Sequence, residues 1–215
     1  MLSVMSLPLA LIHVDEALIV ADKPAGLLSV PGRGPEKADC LIARVQSHYA
    51  DALTVHRLDM ATSGLIVFAR GPTMQRALSL AFAERRVHKT YVAVVDGLLA
   101  GDSGQIDLPL AADWPRRPRQ RVDLKAGKAS LTHWMVLARD ALQGRSRLAL
   151  QPVTGRSHQL RVHLAAIGHA ILGDDLYAES TVAQAAQRLL LHASALQLAH
   201  PADARSLRFE LDAPF

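Results

Sequence analysis

Cysteine is nearly absent: Cys40 is the only one in 215 residues. A lone thiol closes no intrachain disulfide and supplies no cysteine-based zinc set, so a reducing compartment such as the cytoplasm is expected. Aromatic residues make up 4% of the chain. That is too few for the rows of stacked rings on which general single-strand binders rely. No apolar run approaches the roughly 18–20 residues needed to span a bilayer, so no membrane association is expected. The first fourteen residues are largely apolar, but no Lys or Arg precedes them and Asp15-Glu16 follow at once. That is not the pattern of a signal peptide. Residues 1–9 are expected to form a short tail before the first strand. Gly-x-x-x-x-Gly-Lys-Ser/Thr, Gly-x-Gly-x-x-Gly and Gly-x-Ser-x-Gly are all missing, which removes the usual signals for nucleotide cofactors and serine hydrolases. Ten histidines are present, but no His-x-x-x-His stands beside an acid, and His158 and His163 are five apart, off a common helical face. No metal site is expected.

Half the residues are hydrophobic and a fifth charged, the balance of a globular chain long enough to bury one core. The net charge is +4, but its placement matters more than its size. Arg70, Arg76, Arg85, Arg86 and Lys89 stand against Glu84 alone; Arg116, Arg117, Arg119, Arg121, Lys125 and Lys128 stand against Asp123 alone. Such stretches are either solvated faces or contacts to a phosphate backbone. Pro115 and Pro118 put the second stretch, 113–128, on a loop that can lie over a structured RNA.

Leu11–Val14 and Leu18–Ala21 read as a hairpin around Asp15-Glu16. Asp39 is expected to cap a helix bearing Leu41, Ile42, Val45 and Tyr49. Gly64–Ala69 reads as a buried strand, and Pro72 opens a helix with Met74, Ala77, Leu78, Ala81 and Phe82 on one face. Thr90–Val95, Leu131–Leu137, Arg147–Val153, Leu189–Leu198 and Leu207–Leu211 read as strands. Ser157 is expected to cap a helix that buries Leu160, Leu164 and Ile167, leaves Arg161 on another flank, and ends at Gly168. Strands outnumber helices without regular alternation. The expected fold is therefore α+β with a mixed, mainly antiparallel sheet flanked by helices. The chain reads as a single catalytic domain, 1–215, with any internal division near residues 100–128.

Two segments concentrate reactive groups. His56-Arg57-Leu58-Asp59-Met60-Ala61-Thr62-Ser63-Gly64 sets an imidazole, a guanidinium and a carboxylate just ahead of a buried strand. A plain structural turn, with Asp59 accepting the Thr62 or Ser63 amide, accounts for the same residues. Thr154–His163 carries Arg161 on its helix, as a surface arginine or as a partner for a carboxylate.

Taken in order, six segments resemble the motifs of the RluA-type pseudouridine synthases. They are Lys23-Pro24-Ala25-Gly26-Leu27, His56–Gly64, Lys89-Thr90-Tyr91-Val92-Ala93, Gly155–His163, Gly168–Asp174 and Arg188–Ala193. The match runs from about residue 10 to the C-terminus. Asp113–Gln120 further resembles the insertion of that family's dual-specificity branch, which acts on a 23S rRNA hairpin and on tRNA anticodon stem-loops. The S4-type RNA-binding domain that opens many relatives is expected to be lacking. The resemblance implies the family's catalytic fold, an RNA partner and no cofactor; for the oligomeric state, a monomer is the default expectation. It implies that Asp59 is the catalytic aspartate, Tyr91 the residue stacking on the base and taking the C5 proton, and Arg161 the arginine paired with the catalytic carboxylate. Arg57 matches the arginine that fills the place of the flipped base, beside His56, and Leu191 lies in the apolar pocket motif. Arg116, Arg117 and Arg119 are the expected loop contacts to RNA. Two other chemistries share parts of this pattern. A phosphoryl-transfer hydrolase could use Asp59 as nucleophile and Asp174-Asp175 for magnesium, though Ala61 stands where its second acid belongs. A catalytically silent RNA-binding module has no need of the Asp59, Tyr91 and Arg161 set.

Overall fold

A computed structural model describes residues 9–215, so the expected tail falls almost wholly outside the described residues. The architecture is α+β, a mixed and mostly antiparallel sheet flanked by helices, as the strand-rich pattern predicts. The chain forms two compact units. One runs up to Val87 and takes back Gln197–Phe209; the other holds His88–Leu196 and Glu210–Phe215.

In the first unit, β1 (Ala10–Val14) and β2 (Leu18–Lys23) form the expected antiparallel hairpin. The Asp15 carboxylate closes its turn by accepting the amides of Ala17 and Leu18, both at 2.8 Å. After α1 (Leu41–Gln46), the strands β3 (Ala52–Thr54) and β4 (Ser63–Arg70) follow, then α2 (Gly71–Ala83). β4 pairs antiparallel with both β2 and β3. Its first seven residues are buried whichever face they point to, which is why Gly64–Ala69 is a continuous apolar run and not an alternating one. Pro72 stands in the first turn of α2, as expected, and Leu78 and Ala81 are buried. The expected cap of α1 is corrected. Cys40 holds the cap position, Asp39 instead binds Arg44 at 2.7 Å, and Tyr49 lies beyond the helix. An arginine five residues on competes better for that carboxylate than the backbone amides do.

The second unit holds β5 (His88–Asp96), β6 (Ser103–Asp107), β7 (Leu110–Ala112), β8 (Gln120–Val122), β9 (Leu131–Asp140), β10 (Arg145–Pro152), α3 (Gln159–Ala166) and α4 (Ser180–Ala183). β5, β10, β9 and β6 pair antiparallel in that order, and β7 pairs with β8. β11 (Leu191–Ala199) starts in this unit and ends in the first, where β12 (Ser206–Glu210) pairs with it. The chain divides after Val87 and not within 100–128. That stretch folds onto its own unit, through β6 on β9 and through Leu110 on Lys128. Its strands β6, β7 and β8 are five, three and three residues long, too short for an apolar alternation to announce them. Among the described residues, no helix is long and apolar enough to cross a membrane.

Candidate active site

In the first unit, the turn bearing Asp59 is fastened through its backbone. The Ser29 hydroxyl donates to the Leu58 carbonyl at 2.7 Å and accepts the Leu58 amide at 3.1 Å. The Met60 carbonyl accepts from the Gly26 amide at 2.8 Å and from the Lys23 ammonium at 3.0 Å. The Thr62 amide goes to the Asp59 carbonyl, 3.1 Å away. Leu58 is buried, Asp59 is partly exposed, and Arg57 is exposed. The carboxylate thus stands on a rigid backbone at the edge of solvent, one residue from a side chain anchored in the core.

Lys23 is the residue least expected here, because it is completely buried. Its ammonium donates to the carbonyls of Pro24 and Leu27, each at 2.8 Å, as well as to Met60. A buried cation persists only when its donors are used. Lys23 uses them to tie the Lys23–Leu27 segment to the Asp59 turn. Lys23→Met keeps the stem volume but withdraws the three donated bonds. It is expected to lower stability by about 3 kcal/mol, read as a fall in the urea midpoint at unchanged slope. An unaltered midpoint would mean that the turn holds without it.

His56 makes contacts within the first unit. Its Nε2 accepts the Val67 amide at 3.0 Å, and its ring stacks on Phe82 with centroids 4.4 Å apart. These contacts join it to β4 and α2, a link that sequence order alone does not reveal.

In the second unit, Tyr91 is buried in β5 opposite Leu150 of β10. Strand alternation puts Lys89 on the same face. The Lys89 ammonium comes within 3.8 Å of where a Cβ on Gly155 would lie, and burial pushes its pKa down. Leu191 is buried at the start of β11.

Arg161 is not a surface arginine. It is 3% exposed, and Gln159–Leu164 are all buried. The expected Ser157 cap is corrected. His158 holds the cap position in the left-handed region at φ 55°, α3 starts at Gln159, and Ile167 lies past its end and is exposed. Arg161 reaches Asp174 through a fork, Nε to Oδ2 at 2.8 Å and Nη2 to Oδ1 at 2.6 Å, and Asp175 at 3.1 Å. Asp174 is wholly buried and also accepts the amides of Leu176 and Tyr177 at 2.9 and 3.1 Å. Its carboxylate is committed to a guanidinium, so the magnesium reading of Asp174-Asp175 is withdrawn. Among the described residues, no cluster of His, Cys, Asp and Glu is arranged to hold a metal ion. His163, the other titratable group on α3, is buried between Thr132 and the Leu108 carbonyl, 3.0 Å from each, and burial pushes its pKa down.

The basic stretch 113–128 is ordered. A one-turn helix over Trp114–Arg116 starts from buried Asp113, whose carboxylate pairs with Arg116 at 2.8 Å. Arg116 and Arg117 are exposed and Arg119 is partly buried. Tyr177, which sequence reasoning did not single out, fastens this loop. Its hydroxyl accepts the Gln120 amide at 2.8 Å and meets His158 Nδ1 at 2.6 Å, and the guanidinium carbons of Arg119 and Arg161 lie 5.5 and 5.2 Å from its ring centroid. The other basic stretch is partly consumed within the protein: Arg70 pairs with Asp51 and Arg86 with Glu84.

Residues 17–166 match the model of the RNA pseudouridylate synthase family. The dual-specificity RNA pseudouridine synthase RluA of Yersinia pestis is 49% identical over 204 residues, covering 95% of this chain and 98% of that protein. Its namesake from Escherichia coli strain K12 is 47% identical over 207 residues, covering 96% of this chain and 94% of that one. Among solved structures, human RNA pseudouridylate synthase domain containing 1 superposes with a TM-score of 0.81 at 26% identity, covering 97% of this chain and 84% of that one. The chain belongs to the RluA-type pseudouridine synthases, isomerases that convert uridine to pseudouridine within RNA.

Proposed function

We propose that the chain modifies uridines in a 23S rRNA hairpin and in tRNA anticodon stem-loops, acting as a monomer in the cytoplasm with Asp59, Tyr91 and Arg161 as its reacting set. The observation that carries the catalytic reading is the Asp59 turn: a part-exposed carboxylate on a backbone pinned from both sides, two residues after exposed Arg57. The substrate reading is supported by near full-length similarity to relatives described as dual-specificity and by the Asp113–Gln120 segment.

The reaction breaks N1–C1′, turns the base and joins C5 to C1′. One proton leaves C5, one arrives at N1, and no electrons are gained or lost. The isomerisation therefore asks the protein for charge placement and water exclusion, with no redox partner. Asp59 serves either by adding to C1′ or by taking the 2′ hydrogen; both routes need the same ionised carboxylate. Arg161 supplies the positive charge that keeps it ionised. Tyr91 accepts the C5 proton. Extruding the base costs a few kcal/mol, least in a loop, and Arg57 fills the gap.

With C5-tritiated RNA, both the 23S hairpin and the anticodon stem-loop are expected to release tritium. Release from neither overturns the reading, and release from one alone overturns dual specificity. Tyr91→Phe retains stacking and is expected to lose single-turnover product formation while RNA affinity holds; an unchanged rate rejects the proton-acceptor role. Replacing Arg116, Arg117 and Arg119 together by Ala is expected to flatten the slope of log affinity against log salt by about two. A slope equal to wild type puts the loop in solvent.

A further inference from the structure

Aromatic scarcity argues against rows of stacked rings, yet one ring is displayed in a manner that folding does not explain. Trp114 is 69% exposed and is the one aromatic among the exposed large hydrophobic side chains of the described residues. An indole left in water gains nothing for the core. The loop that carries it is nonetheless held at every step. The Arg116 amide donates to the Asp113 carbonyl at 2.9 Å, the Arg119 amide to the Arg116 carbonyl at 3.0 Å, and the Asp113 amide to the Arg119 carbonyl at 2.9 Å. At its base, Gln120 is bound to Tyr177, whose ring also lies beside Arg161. At its tip, the Arg117 guanidinium carbon sits over the Trp114 ring, 4.7 Å from its centroid.

We propose that Trp114, backed by Arg117, is a stacking platform for one unpaired nucleobase of the RNA, distinct from the target uridine. The proposal rests on the synthase reading and deepens it by naming a contact that selects the substrate. The guanidinium layer orders the indole, and the exposure of the ring leaves surface for a base. Planar aromatic and guanidinium surfaces are what unstacked RNA bases use. Charge favours RNA over an apolar protein partner: Arg116, Arg117, Arg119, Arg121, Lys125 and Lys128 follow Trp114 in the same stretch of chain, and Arg117 lies over its ring. The base must be unpaired, because a paired base has both faces covered by its neighbours. Since Tyr177 is shared by the loop and by Arg161, the platform is braced against the helix that carries a reacting residue. A base caught there fixes the position of the RNA relative to Arg161.

The chain has two tryptophans, Trp114 and Trp134, so Trp134→Phe leaves Trp114 as the only indole. In that background, titration with an anticodon stem-loop is expected to quench Trp114 emission, saturating at the dissociation constant found by filter binding. A duplex RNA of equal length, closed at both ends by base-free linkers so that no base face is open, is expected to bind through its phosphates without the quench. Trp114→Ala is expected to weaken stem-loop binding roughly ten-fold, Trp114→Phe to recover part of the loss, and the effect to fall on affinity more than on the saturated single-turnover rate. Equal quenching by stem-loop and duplex, or no quenching at saturation by an enzyme that forms pseudouridine, overturns the platform. Quenching by an enzyme that forms no pseudouridine in any RNA leaves the platform standing and overturns the synthase reading instead.

Discussion

Asp59→Asn is expected to lower single-turnover pseudouridine formation by roughly a thousand-fold or more, with melting temperature and RNA affinity close to wild type. The local structure explains both halves. The turn is held through the backbone atoms of Leu58, Asp59 and Met60, by Ser29, Thr62, Gly26 and Lys23. An amide of the same shape leaves those bonds in place. It carries no negative charge, so it can neither add to C1′ nor take the 2′ hydrogen. Rapid quench with digestion to nucleosides reads the rate, and filter binding reads the affinity. Product forming within ten-fold of wild type would falsify the assignment of Asp59. Weakened binding together with a lowered melting temperature would show instead that the side chain builds the turn.

Asp174→Ala is expected to be the most damaging substitution for stability. It leaves Arg161, 3% exposed, without the fork that holds it and removes the acceptor for the Leu176 and Tyr177 amides. Breaking one side of a buried ion pair costs about 3–5 kcal/mol. For a chain of this length that is a fall of roughly 10 °C in melting temperature. Activity is expected to fall as well, since a loosened Arg161 no longer presents its charge in one place. The paired variant Arg161→Met with Asp174→Leu separates the two effects. It removes both charges together, so it is expected to regain most of the lost stability while staying inactive. A melting temperature for Asp174→Ala within 2 °C of wild type would mean that the pair does not organise α3. An active double variant would remove Arg161 from the chemistry.

Much of the architecture was legible because burial leaves a periodic mark. The hairpin around Asp15, the doubly paired strand β4 and the helix opened by Pro72 follow from apolar runs and breakers over short distances. What was missed shares a different origin. The strands β6, β7 and β8 are too short to leave a periodic mark and exist because β9 completes β6 and because β7 and β8 complete each other. The caps of α1 and α3 were misplaced because competing contacts decided them: Arg44 took Asp39, and the left-handed turn at His158 displaced Ser157. Arg161 was expected on a flank and is buried, since a carboxylate thirteen residues away offsets its charge.

By itself, the order of residues determined the chemistry available: Asp59, Tyr91 and Arg161 in motifs of one family, two basic stretches, and no motif for a nucleotide or a metal. These are local properties, written in residue type and short spacing. Tertiary structure alone decided which charges were spent inside the protein and which were displayed. Lys23 and Asp174 went to bury and orient their neighbours, while Trp114 and Arg117 were held outward. Desolvation makes the difference, because an ionic group can be buried only where the fold brings it a partner, and such partners lie far off in the chain.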